Sequence, residues 1–493
     1  FGLSCSLFGQ KSAIYSDAQE SFKRGMEFYR LDLYGKAQEE LEKAAAPKLT
    51  MLSQEEVMPI FVQKAELYAA ISAMRLERAD AEKRLMLFIQ KNEPNSLATQ
   101  AKLEVGRFYY AKRDYDKVIE FMSKITWSEL GDMNNDEISE AKFQLAYSYF
   151  VKKKFQNAMP LFQQIKGGKS DYYLPANYYY GLCCFFKKNY KEALKSFALV
   201  EKDRKYDDVV PTYITQIHFM LKDYDEVIKY GEPYANNTKI RERMLIVQAV
   251  GQAYYEKGQY AKALPFIEEY VDKTPKVTED LFYQLAYTQY RDKRYADAAT
   301  NFEQINELDS ELGQLARYNQ ADCQLKLGLK EEARLSFEQA SMKNYDKAVQ
   351  LDALMNYAKL SYQLGFDNDA ITAFTKLMDT KYNNESQNLL SKLFLNTRDY
   401  DKALTMLRNM NLSTASMKET YQKVAYFRGV QFYKEGNYNK ATELFIESLK
   451  TPVHNETTAL CNYWKAEAQF QLNNYDLSIK EYDKFLMQAP TAS

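Results

Sequence analysis

Side chains that could do acid–base, metal or nucleophilic chemistry occur in this sequence, but their spacing matches no known catalytic arrangement. The two histidines, His218 and His454, leave little for a zinc site or a histidine general base. Paired carboxylates at Glu39–Glu40, Glu268–Glu269 and Glu331–Glu332 could supply acid–base catalysis, yet they stand beside lysine and arginine as on solvated helix faces. The sequence contains no glycine-rich phosphate loop, Gly-x-Ser-x-Gly, His-Glu-x-x-His or Cys-x-x-Cys. These observations predict a chain that is not an enzyme and that holds no metal or cofactor.

The five cysteines have no regular spacing that would predict a disulfide framework. Four of them fall inside helical patterns, and the adjacent pair Cys183–Cys184 would point two ways round one helix. We interpret these four as small buried apolar side chains. The fifth, Cys5, lies in the N-terminal segment.

The first ten residues are apolar and rich in small side chains, unlike the polar helical pattern that follows. We interpret residues 1–10 as the tail of a secretory signal peptide, with cleavage near Gln10. The alternative is a lipid anchor on Cys5, although Gly2 stands where a lipid-attachment motif has leucine. We therefore expect an exported protein, periplasmic or outer-membrane-associated in a Gram-negative envelope, with a cytoplasmic protein as the alternative. The sequence contains no stretch of about 18 apolar residues, so it predicts no transmembrane segment.

Composition restricts the fold and the partners. Only 17 glycines and 11 prolines punctuate 493 residues, too few for the connections of an all-β fold. The net charge is −1 (66 basic and 67 acidic residues) and no basic stripe is visible, so nucleic acid is not an expected partner.

One pattern recurs along nearly the whole chain. A small residue is followed by an aromatic nine positions later, by alanine or valine at twelve, and by a bulky residue at sixteen, as in Gly181, Tyr190, Ala193 and Phe197. About thirteen copies occur at a mean step of about 37 residues. Their anchors at the twelfth position are Ala37, Ala81, Val118, Ala158, Ala193, Val227, Ala263, Ala298, Ala333, Ala370, Ala403, Ala441 and Ser478.

The pattern resembles the tetratricopeptide repeat (TPR), and the chain resembles long exported TPR proteins of Bacteroidota. The resemblance implies an all-α fold, a TPR-type α-solenoid in which about 13 helix-turn-helix repeats form a right-handed superhelix. Glycine or alanine at the crossing point lets two antiparallel helices approach closely, and the bulky residue fills the groove between them.

The predicted organisation is a continuous solenoid over residues 11–490. A step of 40 residues between the third and fourth repeats predicts a longer loop at about 126–140. Trp127 either packs back on its own hairpin or serves as a contact residue. Residues 491–493 end the sequence without a polar cap, so we expect either a continuation beyond Ser493 or an open end that packs on a partner.

The resemblance also implies a binding surface, because first-helix positions line the concave face in TPR proteins. Here these positions are rich in tyrosine, which combines apolar area with a hydroxyl group and suits capture of a protein or peptide. Chaperone-docking TPR proteins hold a C-terminal carboxylate on this face with a clamp of lysine, asparagine and arginine. This sequence has mostly aromatic residues at the fifth first-helix position, so this mode of binding is not expected. The predicted contact residues are Arg107, Tyr110, Tyr147, Phe150, Tyr178, Tyr255, Tyr283, Tyr287, Tyr290, Arg291, Tyr318, Tyr362 and Tyr433.

The sequence thus predicts a non-catalytic protein–protein interaction scaffold, exported to the cell envelope, that binds its partner in an aromatic-rich concave groove. Two alternatives stay open. One is a carbohydrate-binding helical-repeat protein, since tyrosine rings can stack on sugars. The other is the N-terminal regulatory segment of a larger enzyme or sensor. The oligomeric state does not follow from the sequence.

Overall fold

The structure, a computed structural model, describes residues 17–46, 60–130, 133–397 and 399–488, and within them the chain forms thirteen helical hairpins and no β-strand. Hairpins 1 to 6 are residues 17–30 with Tyr34–Ala45, Ile60–Arg75 with Ala81–Asn92, Ser96–Ala111 with Tyr115–Met122, Asn135–Val151 with Phe155–Ile165, Tyr173–Phe186 with Tyr190–Ala198, and Val210–Met220 with Tyr224–Ala235. Hairpins 7 to 13 are Arg243–Glu256 with Tyr260–Lys273, Glu279–Arg291 with Tyr295–Glu303, Glu311–Lys326 with Lys330–Met342, Lys347–Leu364 with Asp367–Leu377, Asn383–Asn396 with Tyr400–Arg408, Ala415–Lys434 with Tyr438–Leu449, and Asn455–Gln471 with Tyr475–Gln488.

The predicted all-α fold of about thirteen helix-turn-helix repeats is confirmed. The chain divides into two compact units, Phe1–Val250 and Gly251–Ser493. The right-handed superhelix that the resemblance implies stays a prediction.

A residue with a left-handed backbone occupies the turn in twelve of the hairpins that the structure describes. In hairpin 5, for example, Lys188 has a φ of 60°, and the amide of Asn189 donates to the carbonyl of Cys184 at 2.8 Å. This conformation satisfies carbonyl groups at the end of the first helix and reverses the chain within three residues. The twelve residues are Asp32, Glu77, Arg113, Lys153, Lys188, Lys222, Gly258, Lys293, Gly328, Gly365, Gly436 and Asn473.

The two helices of each hairpin meet at the small positions that the repeat predicts. All thirteen anchor residues of the second helices are buried, with no more than 3% of their surface exposed. On the first helices the glycines face bulky side chains: a Cβ added at Gly181 would lie 2.8 Å from the ring of Phe197, and one at Gly429 would lie 2.6 Å from the ring of Phe445. The predicted close approach of paired helices is therefore confirmed.

The predicted loop over residues 126–140 is wrong at its C-terminal end, because the first helix of hairpin 4 already begins at Asn135. The side chain of Asn134 accepts from the amide of Glu137 at 2.9 Å, and the Glu137 carboxylate accepts from the amide of Asn134 at 3.2 Å. This capping box starts the helix early. Within the connection, Trp127 is half-buried against the core, and the Lys142 ammonium lies 5.5 Å from its ring centroid. Trp127 therefore packs back on its own part of the chain.

Buried glutamines hold some of the connections between hairpins. Gln422, in the first helix of hairpin 12, is fully buried. Its Oε1 accepts from the amides of Val453 and His454 at 2.9 and 2.7 Å, and its Nε2 donates to Thr458 Oγ1 at 2.8 Å. One side chain thus satisfies backbone groups of the connection that leads into hairpin 13.

We expect Gln422→Leu to lower the local free energy of unfolding of hairpins 12 and 13 by about 1–2 kcal/mol, because it removes these bonds while keeping most of the buried volume. Hydrogen exchange of the amides at Val453 and His454 measures the change. Gln363→Leu, at an exposed site in the first helix of hairpin 10, is the control and should change the local stability by less than about 0.5 kcal/mol. Equal effects of the two substitutions would contradict this role of Gln422.

The predicted signal-peptide tail at residues 1–10, Cys5 and the terminal residues 491–493 lie outside the described residues. Within the part of the chain that the structure describes, no helix combines the length and the apolar character needed to cross a bilayer.

Candidate binding surface

The predicted contact residues all lie on the first helices of their hairpins, and the structure gathers most of them into two clusters, one in each unit. The first cluster contains Tyr110, Tyr147, Phe150 and Tyr178, and the second contains Tyr255, Tyr283, Tyr287, Tyr290 and Arg291. The other three predicted tyrosines, Tyr318, Tyr362 and Tyr433, lie outside these clusters. The ring of Tyr318 packs on Phe337 at 5.4 Å, Tyr362 packs on the core, and the ring of Tyr433 contacts Trp464 at 5.0 Å.

Five of the predicted residues also have a packing role inside their own hairpins. Each is an aromatic residue whose ring contacts a second aromatic five residues later, at the start of the second helix. Packing accounts for part of this aromatic content, and a binding role for the five stays a prediction. The pairs are Tyr110–Tyr115 (6.2 Å), Phe150–Phe155 (5.7 Å), Tyr255–Tyr260 (5.5 Å), Tyr290–Tyr295 (5.7 Å) and Tyr433–Tyr438 (5.3 Å).

In the first unit, three tyrosines form a group that we call the first tyrosine triangle: Tyr110, Tyr115 and Tyr147. Their ring centroids are 5.8–6.2 Å apart, and each pair of rings is close to perpendicular, at 70–74°. Tyr147 also contacts Tyr179 of the next hairpin at 5.0 Å. Edge-to-face contacts of this kind fix the rings without covering all their faces.

A cavity of about 520 Å³ lies beside the first tyrosine triangle. Its walls are almost entirely aromatic, and Arg113 is the charged residue among those that line it. The lining residues are Tyr110, Ala111, Arg113, Tyr115, Phe143, Tyr147 and Tyr179.

Arg107, which the sequence places on the binding surface, is half-buried in contacts within the chain. Its guanidinium lies 2.9 Å from Glu104 Oε1 and 3.6 Å from Glu140 Oε2. Arg75 binds the other oxygen of Glu104 at 3.1 Å. The structure therefore gives Arg107 an ion-pairing role between neighbouring hairpins.

In the second unit, Tyr255, Tyr260 and Tyr287 form the second tyrosine triangle, with centroids 5.5–6.1 Å apart and rings again close to perpendicular. The guanidinium carbon of Arg291 lies 4.6 Å from the ring centroid of Tyr260 and 5.9 Å from that of Tyr287. Arg291 also donates a hydrogen bond of 3.3 Å to the Tyr287 hydroxyl. A cation thus sits on two of the three rings.

Two polar residues of hairpin 9 fix the tyrosines of hairpin 8. The Asn319 amide donates to the Tyr283 hydroxyl at 2.9 Å, and the Tyr290 hydroxyl donates to Asp322 Oδ2 at 2.5 Å. Burial raises the pKa of Tyr255, Tyr283 and Tyr290. These phenols are therefore neutral over the whole physiological pH range.

Sequence reasoning missed several residues of the two clusters. The predicted contact residues do not include Tyr115, Tyr260 and Tyr179, although the repeat pattern has an aromatic at its ninth position in most copies. Its spacing of five from the first-helix aromatic was the signal that could have identified Tyr115 and Tyr260. Asn319 and Asp322 carried no comparable signal.

Several of the side chains considered for catalysis form contacts within the fold. Lys43 binds Glu39 and Lys273 binds Glu269 in helical ion pairs of 2.8 and 2.7 Å, and His454 caps a helix. Burial raises the pKa of the Cys183 thiol to about 12. Among the described residues, no group of three or more His, Cys, Asp or Glu side chains could hold a metal ion.

Cys184, Cys323 and Cys461 are also buried and free, as the sequence predicts for all the helical cysteines. Burial raises the pKa of the Cys323 and Cys461 thiols to about 12 as well. A thiol with so high a pKa is a poor nucleophile at neutral pH. The two clusters present aromatic faces and hydroxyl groups, and the second also carries the Arg291 cation.

The family model described as "Tetratricopeptide repeat" matches residues 283–349. No curated protein matches the chain.

Solved structures that match the chain at low sequence identity include three. YrrB, described as a TPR protein with an unusual peptide-binding site, is 17% identical over 38% of this chain and 94% of its own, with a TM-score of 0.31. A tetratricopeptide repeat protein from Parabacteroides merdae ATCC 43184 is 16% identical over 60% of this chain and 98% of its own, at 0.29. A chain of the Naa15/Naa10 complex bound to HypK-THB is 11% identical over 97% and 69%, at 0.40.

Proposed function

We propose that this chain is a tetratricopeptide repeat protein and acts as a non-catalytic scaffold that binds a protein or peptide partner on its tyrosine-rich first-helix surface. The observation that carries the proposal is the clustering of tyrosines from consecutive hairpins, whose rings are only half-buried. Such side chains offer apolar area and hydroxyl groups at a low cost in conformational entropy. Tyrosine is also enriched at the centres of protein interfaces.

The second cluster is the stronger candidate for the centre of this surface. Tyr283 and Tyr290 are each fixed by a hydrogen bond from or to hairpin 9, and Tyr287 stacks between them at 6.0 and 6.1 Å. Side chains held in place before binding lose little freedom when a partner arrives, which favours affinity.

We expect Tyr287→Ala combined with Tyr290→Ala to reduce recovery of the partner at least about tenfold in pull-downs from envelope extract, since two central aromatic contacts together contribute more than about 1.4 kcal/mol. Circular dichroism checks that the variant stays folded.

The control is Phe470→Ala combined with Tyr475→Ala, which also removes two aromatic side chains in contact (5.5 Å) but in hairpin 13, outside both clusters. Recovery with the control should equal that with the unaltered protein. Unchanged recovery with the Tyr287/Tyr290 variant would refute the proposed surface.

The location in a cell envelope belongs to the same proposal. It rests on the signal-like composition of residues 1–10 and on the sequence around Cys5. Mass spectrometry of the N-terminus of the native protein separates the possibilities: cleavage near Gln10 supports plain export, a lipid on Cys5 supports anchoring, and an uncleaved start contradicts export.

A further inference from the structure

The two tyrosine triangles are built from the same repeat positions. In each, one tyrosine stands four residues after the small anchor of a first helix, the second opens the following helix, and the third stands one residue after the small anchor of the next first helix. The equivalent pairs are Tyr110 and Tyr255, Tyr115 and Tyr260, and Tyr147 and Tyr287. The two groups are therefore comparable side chain by side chain.

The second triangle shows which chemical group its rings accept. Arg291, the last residue of its first helix, lies one helical turn after Tyr287 and rests on the rings of Tyr260 and Tyr287 at 4.6 and 5.9 Å. A guanidinium over a tyrosine face is attracted by the negative charge of the ring face, and its planar shape allows stacking.

The first triangle has no arginine at the position that corresponds to Arg291. The residue one turn after Tyr147 is Val151, which is also the last residue of its first helix and is 39% exposed. Among the described residues, no lysine or arginine lies over the rings of Tyr110, Tyr115 or Tyr147. The aromatic cavity of about 520 Å³ opens beside these rings.

We propose that the first tyrosine triangle binds an arginine side chain of the partner, in the place that Arg291 occupies on the second triangle. The inference rests on the proposed function, because it takes the partner to be a protein or peptide, and it names the side chain which that partner presents.

The charges around the first triangle bear on this proposal. Arg113 lines the cavity but is exposed and lies at the turn, so water screens its repulsion of a second cation. The negative charge of Glu140 acts on Tyr110 of the triangle and is shared with Arg107 at 3.6 Å. Arg113→Gln removes the repulsion that remains after screening and should strengthen binding of the arginine side chain slightly, whereas weaker binding would contradict a cationic ligand.

The test uses the full chain with N-acetyl-arginine amide as the probe and N-acetyl-citrulline amide, its neutral isostere, as the reference ligand, followed by saturation-transfer NMR titration. We expect the arginine probe to bind at least about fivefold more tightly than the citrulline probe, as a partly desolvated cation–π contact would give. Equal affinities for the two probes would overturn the proposal.

Two substitutions then locate the site. Val151→Arg should place the protein's own guanidinium on the first triangle and weaken binding of the arginine probe at least about fivefold. Val151→Gln, of similar length without the charge, should change it less than about twofold. Conversely, Arg291→Val should free the second triangle and raise the number of bound probes from one to two.

The outcomes also separate this inference from the proposed function. If Val151→Arg and Val151→Gln behave alike while the Tyr287/Tyr290 variant still loses its partner, the arginine pocket is refuted and the scaffold proposal stands. If the Tyr287/Tyr290 variant keeps its partner while Val151→Arg blocks the probe, the pocket stands and the proposed binding surface fails.

Discussion

Replacing Phe445 with alanine should lower the local free energy of unfolding of hairpin 12 by about 3–5 kcal/mol, the usual cost of deleting a fully buried aromatic ring. Phe445 has no exposed surface and fills the groove opposite Gly429. It also packs with Ala441 and with Cys461 of hairpin 13. Because neighbouring hairpins stabilise one another in a repeat protein, the loss should extend to hairpin 13 and fade beyond it.

Hydrogen exchange resolved by hairpin measures this effect. The matched control is the adjacent substitution Ile446→Ala, since Ile446 lies in the same helix but is 43% exposed. We expect the control to cost less than about 1 kcal/mol. A similar loss for both variants would mean that the ring of Phe445 does not support the hairpin as described.

Replacing Gly313 with alanine should destabilise the protein, although helix propensity alone favours alanine over glycine. Alanine normally stabilises a helix relative to glycine by about 0.5–1 kcal/mol. Gly313, in the first turn of the first helix of hairpin 9, has no room for a side chain: a Cβ there would lie 2.0 Å from the carbonyl oxygen of Leu308. Because the obstacle is backbone, the chain itself has to move. We expect Gly313→Ala to destabilise hairpin 9 by about 2–3 kcal/mol.

Gly35→Ala is the matched control for Gly313→Ala. Gly35 lies in the second helix of hairpin 1, and an added Cβ would meet no atom within 4 Å. This substitution should raise local stability by about 0.5–1 kcal/mol. Thermal unfolding and hydrogen exchange measure both variants. Stabilisation by Gly313→Ala would contradict the close approach of the Leu308 carbonyl.

The repeat was readable from the sequence because its determinants are local. A small residue at the helix crossing and a bulky residue sixteen positions later, such as Gly181 and Phe197, act within one hairpin. The early start of hairpin 4 was also encoded locally, because Asn134 and Glu137 have the spacing of a capping box. The predicted loop over residues 126–140 did not take this signal into account. The boundary of a helix depends on a single contact of this kind, whereas the repeat pattern is supported by many residues that recur along the chain.

The candidate site was predictable only in part, since it depends on contacts between hairpins. The sequence placed Tyr147 and Tyr287 on the first-helix face, but their ring partners Tyr115 and Tyr260 come from the preceding hairpin. The engagement of Arg107 by Glu140 depends equally on how consecutive hairpins align. Repeat spacing does not fix the side-chain rotamers that decide these contacts.

The four buried cysteines can report local opening of the fold through their reaction with a thiol reagent. Cys183 and Cys184 lie in hairpin 5, Cys323 in hairpin 9 and Cys461 in hairpin 13, and each thiol is covered by the packing of its hairpin. A covered thiol reacts with an alkylating reagent only when its surroundings open. The order in which these thiols become labelled therefore ranks the three regions by how often each one opens, with no substitution introduced.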